Sequence, residues 1–356
     1  MTRVATAFGG PSPEHDVSVS TGLQAARVLP QSDSLYWSLT GDWYLVPSDL
    51  ELSDFADGVP RKARRLDLVA ATGGGYRMGR KRLEYDVVVN CFHGGPGEDG
   101  TVQGIWDMAG ICYTGPGQGP SCLGMDKLIF SAAVRAAGMA TLDRRLVTPR
   151  SAPDFDPPYI MKPRSGGSSI GIVIVDDYHT ALAVAESSPH MAEGAVIEPY
   201  LEGAADLQIG VRRYPAVEVS AIEEPVRSDR REILTYQEKY LAWGDAPAGD
   251  RRVPADLSDS LADRIRTQAV AVAELVGIRG VSRVDFLAHH GNLYVNEINT
   301  LPGSLAAYLW IDPPRSRGEL IEDMIAEALA HPRVFNTAGA DGAALRGGGA
   351  IAAKLA

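Results

Sequence analysis

The sequence predicts an α/β protein of three lobes: an N-terminal lobe with a parallel sheet, then two smaller lobes that mix strands and helices. Three observations carry this. Two short apolar runs, residues 4–8 and 86–92, end in Gly9-Gly10 and His93-Gly94-Gly95, and helical spacing follows the first over 17–29. That strand–helix–strand pattern makes a parallel sheet, with ligands at the carboxyl ends of its strands. A glycine-serine loop, 166–169, joins two strands, and a hairpin near the end carries polar residues at alternate positions.

In chain order, the first lobe spans residues 1–118 and closes at the turn-rich Tyr113-Thr114-Gly115-Pro116-Gly117-Gln118-Gly119-Pro120. The second, 119–203, reads as a helix over 125–137, a strand over 159–163, the small-residue loop, a strand over 171–175 and another over 196–201, with Gly203 at its end. The third, 204–335, has strands at 207–212 and 216–222 and a charged, mobile loop at 227–231. Leu261, Ile265, Ala269, Val272 and Val276 recur at helical spacing over 258–276, with Gly277 as a stop. A hairpin follows, 281–287 and 293–299 around His289-His290-Gly291-Asn292, then a helix over 321–330. The Gly/Ala-rich end, 336–356, reads as a flexible tail.

Composition narrows the function. A chain of 356 residues with net charge −11 disfavours nucleic acid as the main partner, because phosphate backbones call for clustered Lys and Arg. No apolar run approaches the roughly 20 residues of a membrane span, and the start does not read as a signal peptide. Three cysteines without a C-x-x-C pair suit reduced thiols, so a cytoplasmic protein is expected.

The chemistry concentrates in the hairpin. Arg283 and Asp285 share one strand face, and Glu297 and Asn299 share one face of the next. Two carboxylates and an amide form the oxygen-rich set that Mg²⁺ prefers, completed by nucleotide phosphates. A solvated hairpin with chance charges accounts for these four residues equally well when they are taken alone. Two lysines stand ready for phosphates: Lys162, ending a strand before the Gly/Ser loop, and Lys127, near a helix start where backbone amides also favour anions. No G-x-x-x-x-G-K-[ST] sequence occurs. Glu14, in the segment after the first strand, is not explained by helix capping.

A serine hydrolase is the rival enzyme class: Gly167-Ser168-Ser169-Ile170-Gly171 fits G-x-S-x-G with Ser169 as nucleophile, and His289 or His290 can be offered as base. That motif needs a helix after the serine, and a strand follows here.

Eight motifs in order resemble the D-alanine–D-alanine ligase family of ATP-grasp enzymes, over the chain up to about residue 313: residues 9–18, 93–100, 113–115, 125–127, 162–171, 238–240, 283–285 and 297–303. The resemblance implies a three-domain ATP-grasp architecture with ATP between the second and third lobes. It implies that Lys127 and Lys162 hold the phosphates, that Glu198 and the Leu201 backbone meet the adenine with Asp206 near the ribose, and that Ser169 and Lys239 also bind ATP. Asp285, Glu297 and Asn299 would hold two Mg²⁺, with Mn²⁺ a possible substitute. An amino-acid carboxylate would attack the γ-phosphate, and the amine of a second amino acid would displace phosphate. Arg283 would stabilise the tetrahedral oxyanion and Glu14 would pair with the first ammonium. Ser168, Tyr240 and Glu14 would fasten a lid, and His93, Gly303, Tyr308 and Leu309 would line the substrate sites. A homodimer is also implied.

One departure stands out. Where the family usually presents a serine and then a leucine to the second substrate's carboxylate, this chain has Tyr308-Leu309. Two readings follow: a ligase with altered acceptor specificity, for a specialised peptide or antibiotic pathway or for closing a ring within one substrate, and a housekeeping D-alanine–D-alanine ligase. A nucleotide-sensing module without turnover is the non-enzyme reading, and the retained Arg283, Lys239 and Glu297 speak against it.

Overall fold

A computed structural model describes residues 2–225, 251–333, 335–346 and 351. The first strand, β1 (Val4–Gly9), is buried on both faces. Helix α1 (His15–Val28) lies close upon it, since a Cβ on Gly22 would come within 2.3 Å of the Phe8 ring. The chain continues through β2 (Asp33–Trp37), β3 (Trp43–Val46), β4 (Arg64–Val69), β5 (Gly75–Met78), β6 (Lys81–Arg82) and β7 (Val87–Asn90). The sheet order is β6-β5-β4-β3-β2-β1-β7. Only β2-β1-β7 is parallel, and β3 to β6 extend it as an antiparallel meander. The meander was not read from sequence, because its strands are short and one sheet edge is exposed, which blurs the alternation. Short α2 (Gly95–Glu98) and α3 (Thr101–Ala109) complete the lobe over an aromatic core that includes Trp37, Trp43, Phe92 and Trp106.

The helix expected over 125–137 is α5 (Lys127–Ala136), and a separate helix, α4 (Gln118–Met125), comes just before it. The physical reason is Asp126, whose carboxylate accepts from Leu128 N and Ile129 N at 3.0 Å and starts a new helix. Lys127 therefore occupies a first helical position. The next sheet is antiparallel throughout, with order β10-β9-β11-β8, from β8 (Arg145–Leu146), β9 (Tyr159–Pro163), β10 (Val173–Val175) and β11 (Ala195–Pro199). Helix α6 (Tyr178–Ser187), started by the Asp177 side chain, packs beside β10 and was not foreseen.

The third sheet runs β14-β13-β12-β15-β16, from β12 (Ala205–Arg212), β13 (Glu218–Pro225), β14 (Arg251–Arg252), β15 (Val281–His289) and β16 (Asn292–Asn299). Helix α7 (Asp259–Val276) buries Ile265, Ala269, Val272 and Val276 against it, the face its spacing predicts. Burial of each larger side chain contributes about 1.5–3 kcal/mol. Phe130 and Val134 of α5 enter the same core. Helix α8 (Arg317–Ala330) starts earlier than the apolar spacing suggests, at a Ser316/Glu319 capping box, and its Leu320, Ile321 and Met324 return to the core around Phe8 and Tyr36. The 227–231 loop lies outside the described residues. So does part of the tail, of which Ala343–Arg346 form one helical turn.

Candidate active site

The hairpin sets the catalytic face. His290 and Gly291 turn it with positive φ at both positions, as a two-residue hairpin requires. Counting back from His289↔Asn292 puts Asp285 opposite Asn296. A bulge between Asp285 and Phe286 shifts the pairing instead to Asp285↔Glu297 and Arg283↔Asn299. The extra residue lets neighbouring Asn296 and Glu297 both line the cleft. The Arg283 guanidinium grips the Asp285 carboxylate with bonds of 2.7 and 2.8 Å, and Asn299 Nδ2 donates to Asp285 Oδ2 at 3.1 Å. Among the described residues no three His, Cys, Asp or Glu side chains form a closed metal cluster. Two carboxylates and an amide set this close together fit Mg²⁺, which keeps several waters and takes phosphate oxygens as ligands.

A cleft lies between the second and third sheets. Lys127, Lys162, Ser169, Glu198, Leu201, Asp206, Asp285 and Glu297 all line it. Glu198, fully buried, is held by Lys162 on one oxygen and by Arg144 on the other, at 2.9 and 3.1 Å. Burial alone would raise the Glu198 pKa, but the two cations overrule it and pull it down to about 2. Arg144 also donates to the Lys127 carbonyl at 2.7 Å, and Lys162 to Asn296 Oδ1 at 3.3 Å. Burial lowers the Lys127 pKa, with Lys162 and Arg144 acting in the same direction and Glu297 and Glu14 opposing. Sequence reasoning missed Arg144: in Asp143-Arg144-Arg145 nothing marks which arginine turns inward.

A second recess, lined by Glu14, Glu98, Lys127, Glu297 and Asn299, adjoins the cleft. The Gly/Ser loop closes over it. Lys127 Nζ donates to the Gly166 carbonyl, and Ser168 Oγ donates to Glu14 Oε1. Ser168 and Ser169 both take positive φ, 54° and 59°. Gly94 is required opposite them, since a Cβ there would sit 2.4 Å from Glu14 Oε2. Glu98 was not singled out from sequence. It accepts from Gly94 N at 2.9 Å and from Leu301 N at 3.2 Å, tying the first lobe to the turn after β16. Burial, reinforced by Glu14, raises its pKa to about 8.

That turn is strained. Ser304, Leu305 and Ala306 are three successive non-glycine residues at φ 52°, 56° and 48°, a conformation that costs roughly 1–2 kcal/mol per residue. Burial of Leu305, Ala306 and Leu309 holds it, as does Ser304 N donating to Thr21 Oγ1 at 3.0 Å. Thr21 Oγ1 also meets His93 Nε2 at 2.8 Å, and burial lowers the His93 pKa to about 4, leaving the ring neutral. Gly303 opens onto a further apolar pocket, and Tyr308 lies under the Arg251 guanidinium, 5.2 Å from its ring centre. Lys239 and Tyr240 lie outside the described residues.

The hydrolase reading fails here. Ser169 sits in a loop between antiparallel strands β9 and β10 with no helix after it, and His289 Nε2 faces the Glu202 carbonyl at 3.2 Å.

Comparison with known proteins agrees along the chain. Family models for the D-ala D-ala ligase N-terminus and C-terminus match residues 3–116 and 134–329. A D-alanine–D-alanine ligase of Rhodococcus opacus is 33% identical, over 92% of this chain and 97% of that protein. One from Campylobacter concisus is 30% identical, over 86% and 88%. Among solved structures, the D-alanine–D-alanine ligase from Coxiella burnetii superposes with a TM-score of 0.75 at 22% identity, covering 92% of this chain and 94% of that one. The VanG D-Ala:D-Ser ligase from Enterococcus faecalis also gives 0.75 at 22% identity, covering 92% and 99%. With both halves matched in order and the ATP-grasp fold shared, the chain belongs to the D-alanine–D-alanine ligase family and is an ATP-dependent enzyme that forms carbon–nitrogen bonds.

Proposed function

We propose that this ligase activates the carboxylate of one amino acid as an acyl-phosphate and transfers it to the amine of an acceptor other than D-alanine. The supporting observation is that Tyr308, beside Arg251 and Glu223, stands where the resemblance expects a small serine. In this reading Lys127 and Lys162 hold the phosphates, and Ser169 and Lys239 also bind ATP. The adenine lies along Glu198 and the Leu201 backbone, and the ribose near Asp206. Asp285, Glu297 and Asn299 hold two Mg²⁺, replaceable by Mn²⁺, which supply charge neutralisation for phosphoryl transfer. Phosphorylation turns a poor electrophile into one with a good leaving group. Glu14 takes the first ammonium, and Arg283 the oxyanion of the tetrahedral intermediate. Ser168, Tyr240 and Glu14 close the lid, excluding water that would hydrolyse the acyl-phosphate. His93, Gly303, Tyr308 and Leu309 border the substrates. The lobes at 1–118, 119–203 and 204–335 act as the three domains, in a cytoplasmic homodimer.

The names of the relatives favour a second reading, in which D-alanine fills both sites. Hydroxylamine trapping separates the half-reactions. Each D- and L-amino acid is incubated with ATP, Mg²⁺ and hydroxylamine, and hydroxamate reports the activated donor whatever the acceptor. Phosphate release and product mass with donor–acceptor pairs then identify the acceptor. Efficient D-alanyl-D-alanine formation from D-alanine alone would refute the altered acceptor.

A further inference from the structure

The polar row on the catalytic sheet is longer than the metal-site residues. Register aligns four residues directly across four strands: Glu297 on β16, Asp285 on β15, Gln208 on β12 and Glu223 on β13. Directly paired residues point to the same face, so Glu223 faces the side that carries the candidate catalytic groups. It is only 1% exposed, and its Oε2 atom is buried with no hydrogen-bond partner among the described residues. Such an orphan ordinarily costs about 1–3 kcal/mol unless something fills it.

Its neighbours say what that something is. The Arg251 guanidinium approaches the other oxygen, Oε1, at 3.4 Å, and Arg251 also covers the Tyr308 ring. Glu223 and Tyr308 thus flank one guanidinium. A substrate carboxylate has no proton to offer this oxygen and leaves it unsatisfied, whereas an amide or hydroxyl satisfies it. Burial raises the Glu223 pKa while Arg251 and Arg283 lower it.

We propose that Glu223, backed by Tyr308, is a specificity residue of the acceptor subsite, selecting a second substrate that ends in a neutral hydrogen-bond donor, an amide or hydroxyl, rather than a free carboxylate. This rests on the ligase reading above and names the chemistry of its acceptor.

The test uses the full-length enzyme with whichever amino acid forms a hydroxamate as donor, and compares D-alaninamide with D-alanine as acceptor. Wild type should favour the amide by at least tenfold in kcat/KM. Glu223→Leu, which has no acceptor oxygen, should lose at least tenfold of that preference, chiefly through the acceptor KM. Glu223→Gln should keep most of it, because the amide oxygen still accepts. A wild-type preference for D-alanine overturns the assignment whether or not either variant folds. A fall in rate that is equal for both acceptors in Glu223→Leu also overturns it, and would mark Glu223 as a base or a structural support. If no amino acid gives a hydroxamate, it is the donor reading that fails, and the acceptor assignment falls with it.

Discussion

At the proposed nucleotide end of the cleft, Glu198 is wholly buried but lies between Arg144 and Lys162, and its pKa falls to about 2. At the proposed substrate end, Glu98, Glu223 and His93 are also buried, and each shifts toward its neutral form because burial dominates. At one end two cations balance the buried charge, while at the other burial outweighs the counter-charges and one oxygen, Glu223 Oε2, has no hydrogen-bond partner among the described residues. In the proposed function the contrast follows the ligands. Triphosphate and metal would be a constant load, so a cradle of fixed counter-charges can stand complete before they arrive. The substrate end would have to read a particular molecule, and Glu223 Oε2 would be satisfied only when that molecule is present.

The comparison breaks most visibly at the metal row. Glu297→Gln keeps the shape and removes the charge, so phosphate release should fall about 10³-fold, or about 4 kcal/mol, with the unfolding midpoint unchanged. An active variant would show that Glu297 is not a metal ligand. Next in size is Arg144→Met, which leaves Glu198 fully buried with one cation instead of two. The expected loss is about 3 kcal/mol of stability in urea unfolding. Arg144→Met combined with Glu198→Leu should be more damaging than Arg144→Met alone, because buried Lys162 then loses its carboxylate partner. If the double variant is the milder of the two, Lys162 does not depend on Glu198 for its counter-charge.

Much of this was legible before the coordinates. The hairpin announced itself through Arg283/Asp285 and Glu297/Asn299, because strand alternation is a local property. The bulge that pairs Asp285 with Glu297 was not legible, since a one-residue insertion leaves no mark in the hydrophobic pattern. Neither was Glu223. The apolar run suggests a strand ending at 222, whereas β13 continues to Pro225 and carries the glutamate into the buried row. Arg144 is invisible for a related reason, because its partner is 54 residues away and burial of a charge is decided by tertiary packing. Helix α5 was expected to start near residue 125, yet only the Asp126 side chain fixes where it does start and so aims Lys127.

The pH dependence sharpens the contrast from the other side. His93 has a folded pKa of about 4 against an ordinary 6.5, so protonation favours the unfolded chain. Its contribution is complete above pH 6.5 and is lost as pH falls toward 4, up to about 3 kcal/mol in all. Glu98 works oppositely. With a folded pKa of about 8 against 4.5, it lowers stability progressively as pH rises from 4.5 to 8. Unfolding of His93→Gln against wild type at pH 7 and pH 4.5 should show the gap between them narrowing at the lower pH. A constant gap would mean that His93 is not held neutral.

The smallest expected effect concerns the contact that joins the two ends. Ser168 Oγ donates to Glu14 from a loop residue at φ 54°. Ser168→Ala removes the hydrogen bond and keeps a side chain in the same left-handed conformation, whereas Ser168→Gly also relieves the strain. Both variants lose about 1 kcal/mol of closure from the missing bond, and glycine recovers part of it in backbone energy. The predicted signature is uncoupling, measured as phosphate released per amide formed, rising severalfold in Ser168→Ala as water reaches the acyl-phosphate. If the ratio stays at one while turnover slows, Ser168 orders the phosphate loop without sealing it. The seal would then rest on the Glu98 bridge between the first lobe and Leu301, where Glu98→Gln should reproduce the uncoupling.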